Sequence, residues 1–409
     1  MNIEPVQFEH IPVGEPLPFA LVDKTGVLLA RKGYVIPSRK ELEETAERGG
    51  GLFIDTVHSA AHYRTYLEHL NKMLLQDKSL GEIAQTHIES LQANDRTLEK
   101  LEQLGWLDLQ VMANNTLRES NSEFFRSRLE QMNQILQRHL RRNPDGALFA
   151  LIYLSSTGLE YYSATHGMLV GCMCHLAARN VLGWSEDDCN LVMRVGLTMN
   201  VGMTVLQDRL ALQTEPLSTV QKNAIAAHAT VSADILERMG VPDADWLEAV
   251  RLHHQQAPGK LSERSRANRV ARLIQRADMF GARLAPRASR HPLPPAQAMQ
   301  ATYYDENKQV DEAGAALIKA VGIYQPGSLV RLATGEIAVV IQRGANTTTP
   351  RVAVLVNKAG MPTAEPIVRD TAFNDFRITA SIAHRDIKVQ INLERILLLT
   401  ATGAPMNLR

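Results

Sequence analysis

The sequence predicts a mainly α-helical protein with a small α/β module at its N-terminal end and a small β appendage near its C-terminal end. Three observations carry that prediction. Residues 59–143 contain no proline and are rich in Leu, Glu, Gln and Arg, a composition that favours helix. Residues 144–305 carry the clearest helix-start and helix-stop signals. Strand-like runs gather before residue 58 and after residue 322. At 409 residues the chain is too long for one ordinary domain and fits two or three, and its 45% hydrophobic content supports real cores.

In residues 1–58, Leu17 to Val22 and Val27 to Ala30 are strand-like. Asp23-Lys24-Thr25-Gly26 joins them as a hairpin signal. Ser38 stands three residues before Glu41, a capping box that opens a short helix. Gly49-Gly50-Gly51 stops that helix, and Leu52-Phe53-Ile54 returns as a strand. Residues 59–124 read as a helical connector, with Leu91, Leu98, Leu101 and Leu104 at helical spacing. That pattern suits either packing on neighbours or a dimerising helix pair.

The next region, 125–305, includes the break Asn143-Pro144-Asp145-Gly146. Ser185 precedes Glu186, Asp187 and Asp188, an N-cap with an acidic first turn. Ser218 and Gln221 form another capping box, and Gly240 closes the helix that follows. Residues 322–372 switch to β character. Leu329 to Leu332 and Ile337 to Ile341 flank a Thr334-Gly335 turn, then Val352 to Val356 leads into Lys358-Ala359-Gly360. Three or four strands are expected there. The tail, 373–409, is ambiguous; its run Ile396-Leu397-Leu398-Leu399 suits a buried strand or helix turn.

Forty-four basic residues balance 44 acidic ones. That balance gives no reason to expect nucleic acid or an anionic membrane as partner. Met1 to Glu15 lacks the pattern of a secretion signal, and no apolar run approaches the ~20 residues that span a bilayer. Cys172, Cys174 and Cys189 do not suggest a disulfide framework, and Cys172-x-Cys174 is too tight for the usual zinc pair. Buried thiols in a cytoplasmic protein are the expectation.

Five side chains of metal-ligand type stand out: His166, His228, His253, His254 and Asp278. Alone, each suits a hydrogen-bonded structural role. Adjacent histidines on a helix point ~100° apart, so His253 and His254 are not expected to share one ion.

Order and spacing resemble a family. Tyr162-Ser163-Ala164-Thr165-His166 is similar to the opening motif of the HD-GYP phosphodiesterases. Met199-Asn200-Val201-Gly202-Met203 stands where that family has His-Asp-x-Gly-Lys. The stretch from Leu206 through Ser218 resembles its loop into the next helix, and His228 stands at its ligand histidine. Leu252-His253-His254-Gln255 is similar to its His-His-Glu. The Gly-Tyr-Pro signature is absent; Gln256-Ala257-Pro258-Gly259-Lys260 follows instead. Ala277-Asp278 matches its Ala-Asp segment. Arg287 and Arg290 match the two arginines of its Arg-Pro-Tyr-Arg.

The resemblance implies an HD-type helical bundle over 125–305, and a two- or three-metal centre that hydrolyses cyclic di-GMP. The departures argue against the chemistry. Two dications ~3.5 Å apart repel by roughly 19 kcal/mol at an effective dielectric of about 20, and anionic bridging ligands offset this. Asn200 is neutral. Met199 is a soft thioether, poorly matched to Mg, Mn or Fe(II). Met203 replaces the lysine that helps hold phosphate, and Gln255 the glutamate. No catalytic residue is expected. The metal-type residues would be vestigial or would suit one Zn, Fe or Mn ion at most; otherwise no cofactor is expected.

Arg269, Arg272 and Arg276 share a helix face, which reads as solvated, with an anion site as the functional alternative. Arg287 and Arg290 are the candidate phosphate contacts. The favoured function is a non-catalytic signalling protein that binds other signalling proteins or a cyclic dinucleotide. It involves neither nucleic acid nor membrane insertion, and a homodimer is allowed. The alternatives are a metal-dependent phosphodiesterase with an altered site and a metal-free scaffold of the HDOD kind.

Overall fold

The computed structural model describes residues 3–6, 11, 13–14, 17, 21–24, 28–30, 34–55, 105–120, 124–159, 161–256, 259–288, 292–387, 389 and 391–401. The features expected at Leu91, Leu98, Leu101, Leu104, Thr25-Gly26, Ala257-Pro258 and Arg290 lie outside the described residues. The chain divides into two compact units, Met1–Gln103 and Leu104–Arg409.

In the first unit, strands β1 (Ile3–Pro5), β2 (Leu21–Val22), β3 (Leu28–Ala30) and β4 (Phe53–Asp55) form an antiparallel sheet in the order β1-β4-β2-β3. Val22 pairs with Leu28 on one side and Phe53 on the other. Helix α1 (Arg39–Gly49) opens where Ser38 Oγ accepts the Glu41 N–H at 3.3 Å and ends at Gly50 in the left-handed region. The reciprocal half of the expected box is replaced: the Glu41 carboxylate accepts from the Tyr34 hydroxyl at 2.9 Å. Leu17, Leu21, Ile36, Leu42 and Leu52 form the core.

The second unit is helical, then β. Its helices are α2 (Trp106–Arg118), α3 (Phe125–Arg142), α4 (Pro144–Thr157), α5 (Tyr162–Asn180), α6 (Glu186–Thr198), α7 (Thr204–Leu212), α8 (Thr219–Arg238), α9 (Ala244–Leu252), α10 (Arg266–Leu284), α11 (Pro295–Gln300) and α12 (Glu312–Val321). A helix apolar on every side belongs inside a bundle. Helix α5 is such a helix: every residue from Tyr162 to Ala178 is buried, and it packs on α4, α6, α10 and α12. Its approach to α6 needs glycine. A Cβ on Gly196 would lie 2.5 Å from Gly171 Cα, closer than carbon atoms can pack.

Strands β5 (Leu329–Leu332), β6 (Ile337–Gln342), β7 (Arg351–Val356), β8 (Pro362–Asp370) and β9 (Ile378–Ile382) form an antiparallel sheet in the order β8-β7-β6-β5-β9. Alternation along β5, β6 and β7 buries both faces of the sheet's centre. Leu329, Val339, Ile341, Ala353 and Leu355 pack with Phe149 of α4, while Val330, Ala338, Val340, Val352 and Val354 form a second cluster. The expected three or four strands are five, because β9 comes from the ambiguous tail and pairs with β5. The tail's apolar run lies in helix α13 (Leu393–Thr400), capped by Asn392 and packed on the first cluster.

The mainly α fold with its two β appendages is therefore the observed class. Among the described residues one helical stretch, Glu186–Leu212, is apolar and long enough by composition to cross a membrane, and 67% of its most apolar window is buried inside the protein. Its burial is that of a core helix pair, α6 and α7, joined through a short turn at Val201–Met203.

Candidate metal centre

Four helices bring the five expected residues to one region. Both halves of the Ser218–Gln221 box form, so the start of α8 is fixed: Gln221 N–H donates to Ser218 Oγ at 3.2 Å, and Ser218 N–H to Gln221 Oε1 at 2.9 Å. That start sets the phase that turns His228 inward, where it is buried. Helix α9 is capped by Asp243 and anchored to α6 by Trp246 Nε1–H, which donates to Thr198 Oγ1 at 2.9 Å. The helix ends at Leu252, so His253 and His254 lie in the turn beyond it. The N–H of Gln255 closes that turn on the Leu252 carbonyl at 2.8 Å.

The hydrogen bonds settle two tautomers. A carbonyl can only accept, so Nδ1 carries the proton wherever it faces one. His228 Nδ1 lies 2.5 Å from the Ile225 carbonyl, and His253 Nδ1 lies 2.6 Å from the Val250 carbonyl. In the neutral rings each Nε2 then holds a lone pair. Those two Nε2 atoms are 3.2 Å apart, and His254 Nε2 is 3.2 Å from His228 Nε2. The ligand nitrogens of all three rings lie within 4.8 Å of one another.

Protonation of the two buried rings does not answer the crowding between His228 and His253. Burial lowers the pKa of His228 and pushes His253 down to about 3, with the neighbouring His254 adding to both shifts. Tetrahedral coordination with metal–nitrogen bonds of about 2.0–2.1 Å separates ligand nitrogens by about 3.3 Å. The donor set therefore fits one borderline transition-metal ion. The expectation that His253 and His254 would rarely share one ion assumed a continuous helix; the turn after Leu252 removes that premise, while His254 is the exposed one of the pair.

Asp278 on α10 is the neighbouring anion. Burial opposes its ionisation, but the hydrogen bond and charge of His166, with the fields of His253 and His254, hold its carboxyl well below the usual carboxylate range. His166 Nε2 lies 2.7 Å from Asp278 Oδ1. A Cβ on Gly281 would meet His166 Nδ1 at 2.8 Å, so α5 and α10 reach this contact only because Gly281 is bare. The Tyr162 ring stacks parallel to His166 at 6.0 Å, and Arg287 Nη2–H donates to the Tyr162 hydroxyl at 2.9 Å.

The departing positions are placed as follows. Met199 is fully buried, and Met203 is half-buried. Asn200 is buried, and its Oδ1 has no hydrogen-bond partner among the described residues. Gln255 is exposed. Cys172, Cys174 and Cys189 are buried thiols, with burial raising each; Cys189 is pushed up to about 11.

The arginine face is not solvated. Arg272 and Arg276 are 3% and 2% exposed and pair with Glu306 and Asp311. Arg269 pairs with Asp188 and lies over the Trp184 ring. The acidic partners gave no sequence signal as a site, because Asp188, Glu306 and Asp311 all lie far from the arginines in sequence. A cavity of about 490 Å³ adjoins the histidines, lined by His254, Gln275, Arg276, Met279, Tyr304 and Glu306 among others.

No protein-family model matches the chain, and no curated protein matches it. A solved structure similar to it is Bd1817, a HDG"Y"P protein from Bdellovibrio bacteriovorus. The identity is 13%, over 77% of this chain and 98% of that one, with a TM-score of 0.44.

Proposed function

We propose that the chain is a cytoplasmic regulatory protein built on an HD-GYP-like domain, whose centre holds one divalent transition metal and does not carry the bridged cluster that hydrolyses cyclic di-GMP. The observation that carries this reading is the convergence of three imidazole Nε2 atoms, two of them with lone pairs 3.2 Å apart. The buried, neutral rings of His228 and His253, with His254 beside them and the Asp278 carboxylate as the neighbouring anion, form a donor set that suits one dication. Met199 and Asn200 add no anion where the resembled family places a histidine and a bridging aspartate. The domain acts by binding a cyclic dinucleotide or a protein partner. Cyclic di-GMP presented to protein loaded with Mn(II) or Fe(II) tests this, with binding and no turnover expected. Sustained hydrolysis would overturn it.

One observation favours a second reading, a metal-dependent phosphodiesterase with an altered site. Three protein ligands leave an open coordination position, as catalytic sites do, and the cavity beside His254 gives access to it. A bound ion would supply Lewis-acid polarisation and an activated water there. Turnover abolished by His228→Ala would establish this reading.

A further inference from the structure

We infer that Gln275 and Arg272 are positioning residues for the turn that presents His253 and His254. The inference rests on the metal reading above, to which it adds the means by which the ligand turn is held.

The turn would otherwise be weakly determined. It lies past the end of α9, its Gln255 and Gln256 side chains are exposed, and Gln255 N–H to the Leu252 carbonyl is a local bond. Among the described residues the turn's backbone is tied to α10 by a hydrogen bond, in which Gln275 Nε2–H donates to the Gln255 carbonyl at 3.1 Å. An amide side chain could sit either way round, placing its oxygen against that carbonyl and losing the bond. Arg272 removes the ambiguity. A guanidinium only donates, and Arg272 Nη1–H donates to Gln275 Oε1 at 2.6 Å, so Nε2 must face Gln255.

Arg272 is fixed in turn. Its Nε–H and Nη2–H donate to Asp311 Oδ2 at 2.9 and 2.6 Å. Its Nη1–H and Nη2–H also donate to the two oxygens of Glu306, each at 2.9 Å. Asp311 is itself pinned as the cap of α12, accepting the Gly314 N–H at 2.8 Å. A buried chain thus runs from α12 through Arg272 and Gln275 to the carbonyl two residues past His253. Arg272, Asp311 and Gln275 are all buried, and the bonds that join those three side chains act away from competing water. Outer contacts of this kind fix ligand orientation at metal centres.

The test uses the full chain and two readouts. Gln275→Met removes both hydrogen bonds at similar volume; Gln275→Asn keeps an amide too short to span Arg272 and Gln255, and serves if the first variant does not fold. Arg343→Met is the control, since Arg343 joins Asp145 and the Ala320 carbonyl elsewhere in the unit. Imidazole nitrogen chemical shifts, read by NMR in metal-free protein, should move for His253 and His254 in the Gln275 variants and stay in place in the control. Co(II) affinity should fall about tenfold in the Gln275 variants and hold in the control. Unmoved His253 and His254 signals would overturn the inference, whatever the Co(II) result. A wild-type chain that takes no Co(II), with those signals still moving in the variants, would overturn the metal reading and leave the positioning role standing.

Discussion

His228 and His253 face each other through two bare Nε2 atoms 3.2 Å apart, each ring donating its Nδ1–H to a backbone carbonyl. Two lone pairs at that distance repel, and burial denies the rings the proton that would relieve them. The relationship is favourable once a cation sits between them. His228→Ala removes the nitrogen nearest to both partners, so Co(II) or Zn(II) binding should fall by at least a hundredfold. Retained affinity, measured by competition with a chromophoric chelator, would show that the ion sits elsewhere.

The same burial sets a pH dependence in the metal-free protein. Both folded-state pKa values lie below the ordinary 6.5, at about 3 for His253. The unfolded chain binds these protons first as pH falls. The contribution of the neutral rings is therefore full above pH 6.5 and is lost as pH drops from there toward the folded values. Each ring should cost about 1.4 kcal/mol per pH unit within its window. Urea unfolding at a series of pH values checks this; stability that stays flat from pH 6.5 to 4.5 would contradict it.

Asp278→Asn should leave His166 in place, because an amide oxygen can still accept from its Nε2. It removes the anion beside the three imidazoles. Zn(II) affinity should drop by about 10–100-fold with the fold retained. Isothermal titration of the variant against wild type measures the change.

Arg272→Ala leaves Asp311 buried and Glu306 without its two-pronged partner. Breaking a buried ion pair from one side costs about 3–5 kcal/mol. Denaturant midpoints read that loss directly, and a change below about 1 kcal/mol would mean that the acids find other partners.

Gly196→Ala tests the α5–α6 contact. A methyl 2.5 Å from Gly171 Cα cannot be absorbed by a side-chain rotation, because the obstacle is backbone. Overpacking of this kind costs about 1–3 kcal/mol. A thermal melt of the variant, with a lower midpoint expected, checks the contact.

The helical part of the fold was legible because its caps are chemical. Ser38, Ser185 and Ser218 all cap the helices their sequence context indicates. Strand β9 was not legible: Thr379, Ala380 and Ser381 show no apolar alternation, and the strand is defined by pairing with β5. The site residues were legible as types and order, since few histidines fall at such intervals in a helical region. The convergence of His253 and His254 on His228 was not, because it depends on α9 ending at Leu252. Burial of Arg272 and Arg276 was also hidden. Their partners Glu306 and Asp311 lie 30 or more residues away, and nothing local marks an arginine as paired.

The number of metal ions per chain bears most directly on the account. Purified without chelator and analysed by plasma mass spectrometry against protein concentration, the full chain should carry no more than one equivalent of transition metal. Iron, zinc and manganese should compete for that single place. Two equivalents that are retained together, and lost together in His228→Ala, would contradict it.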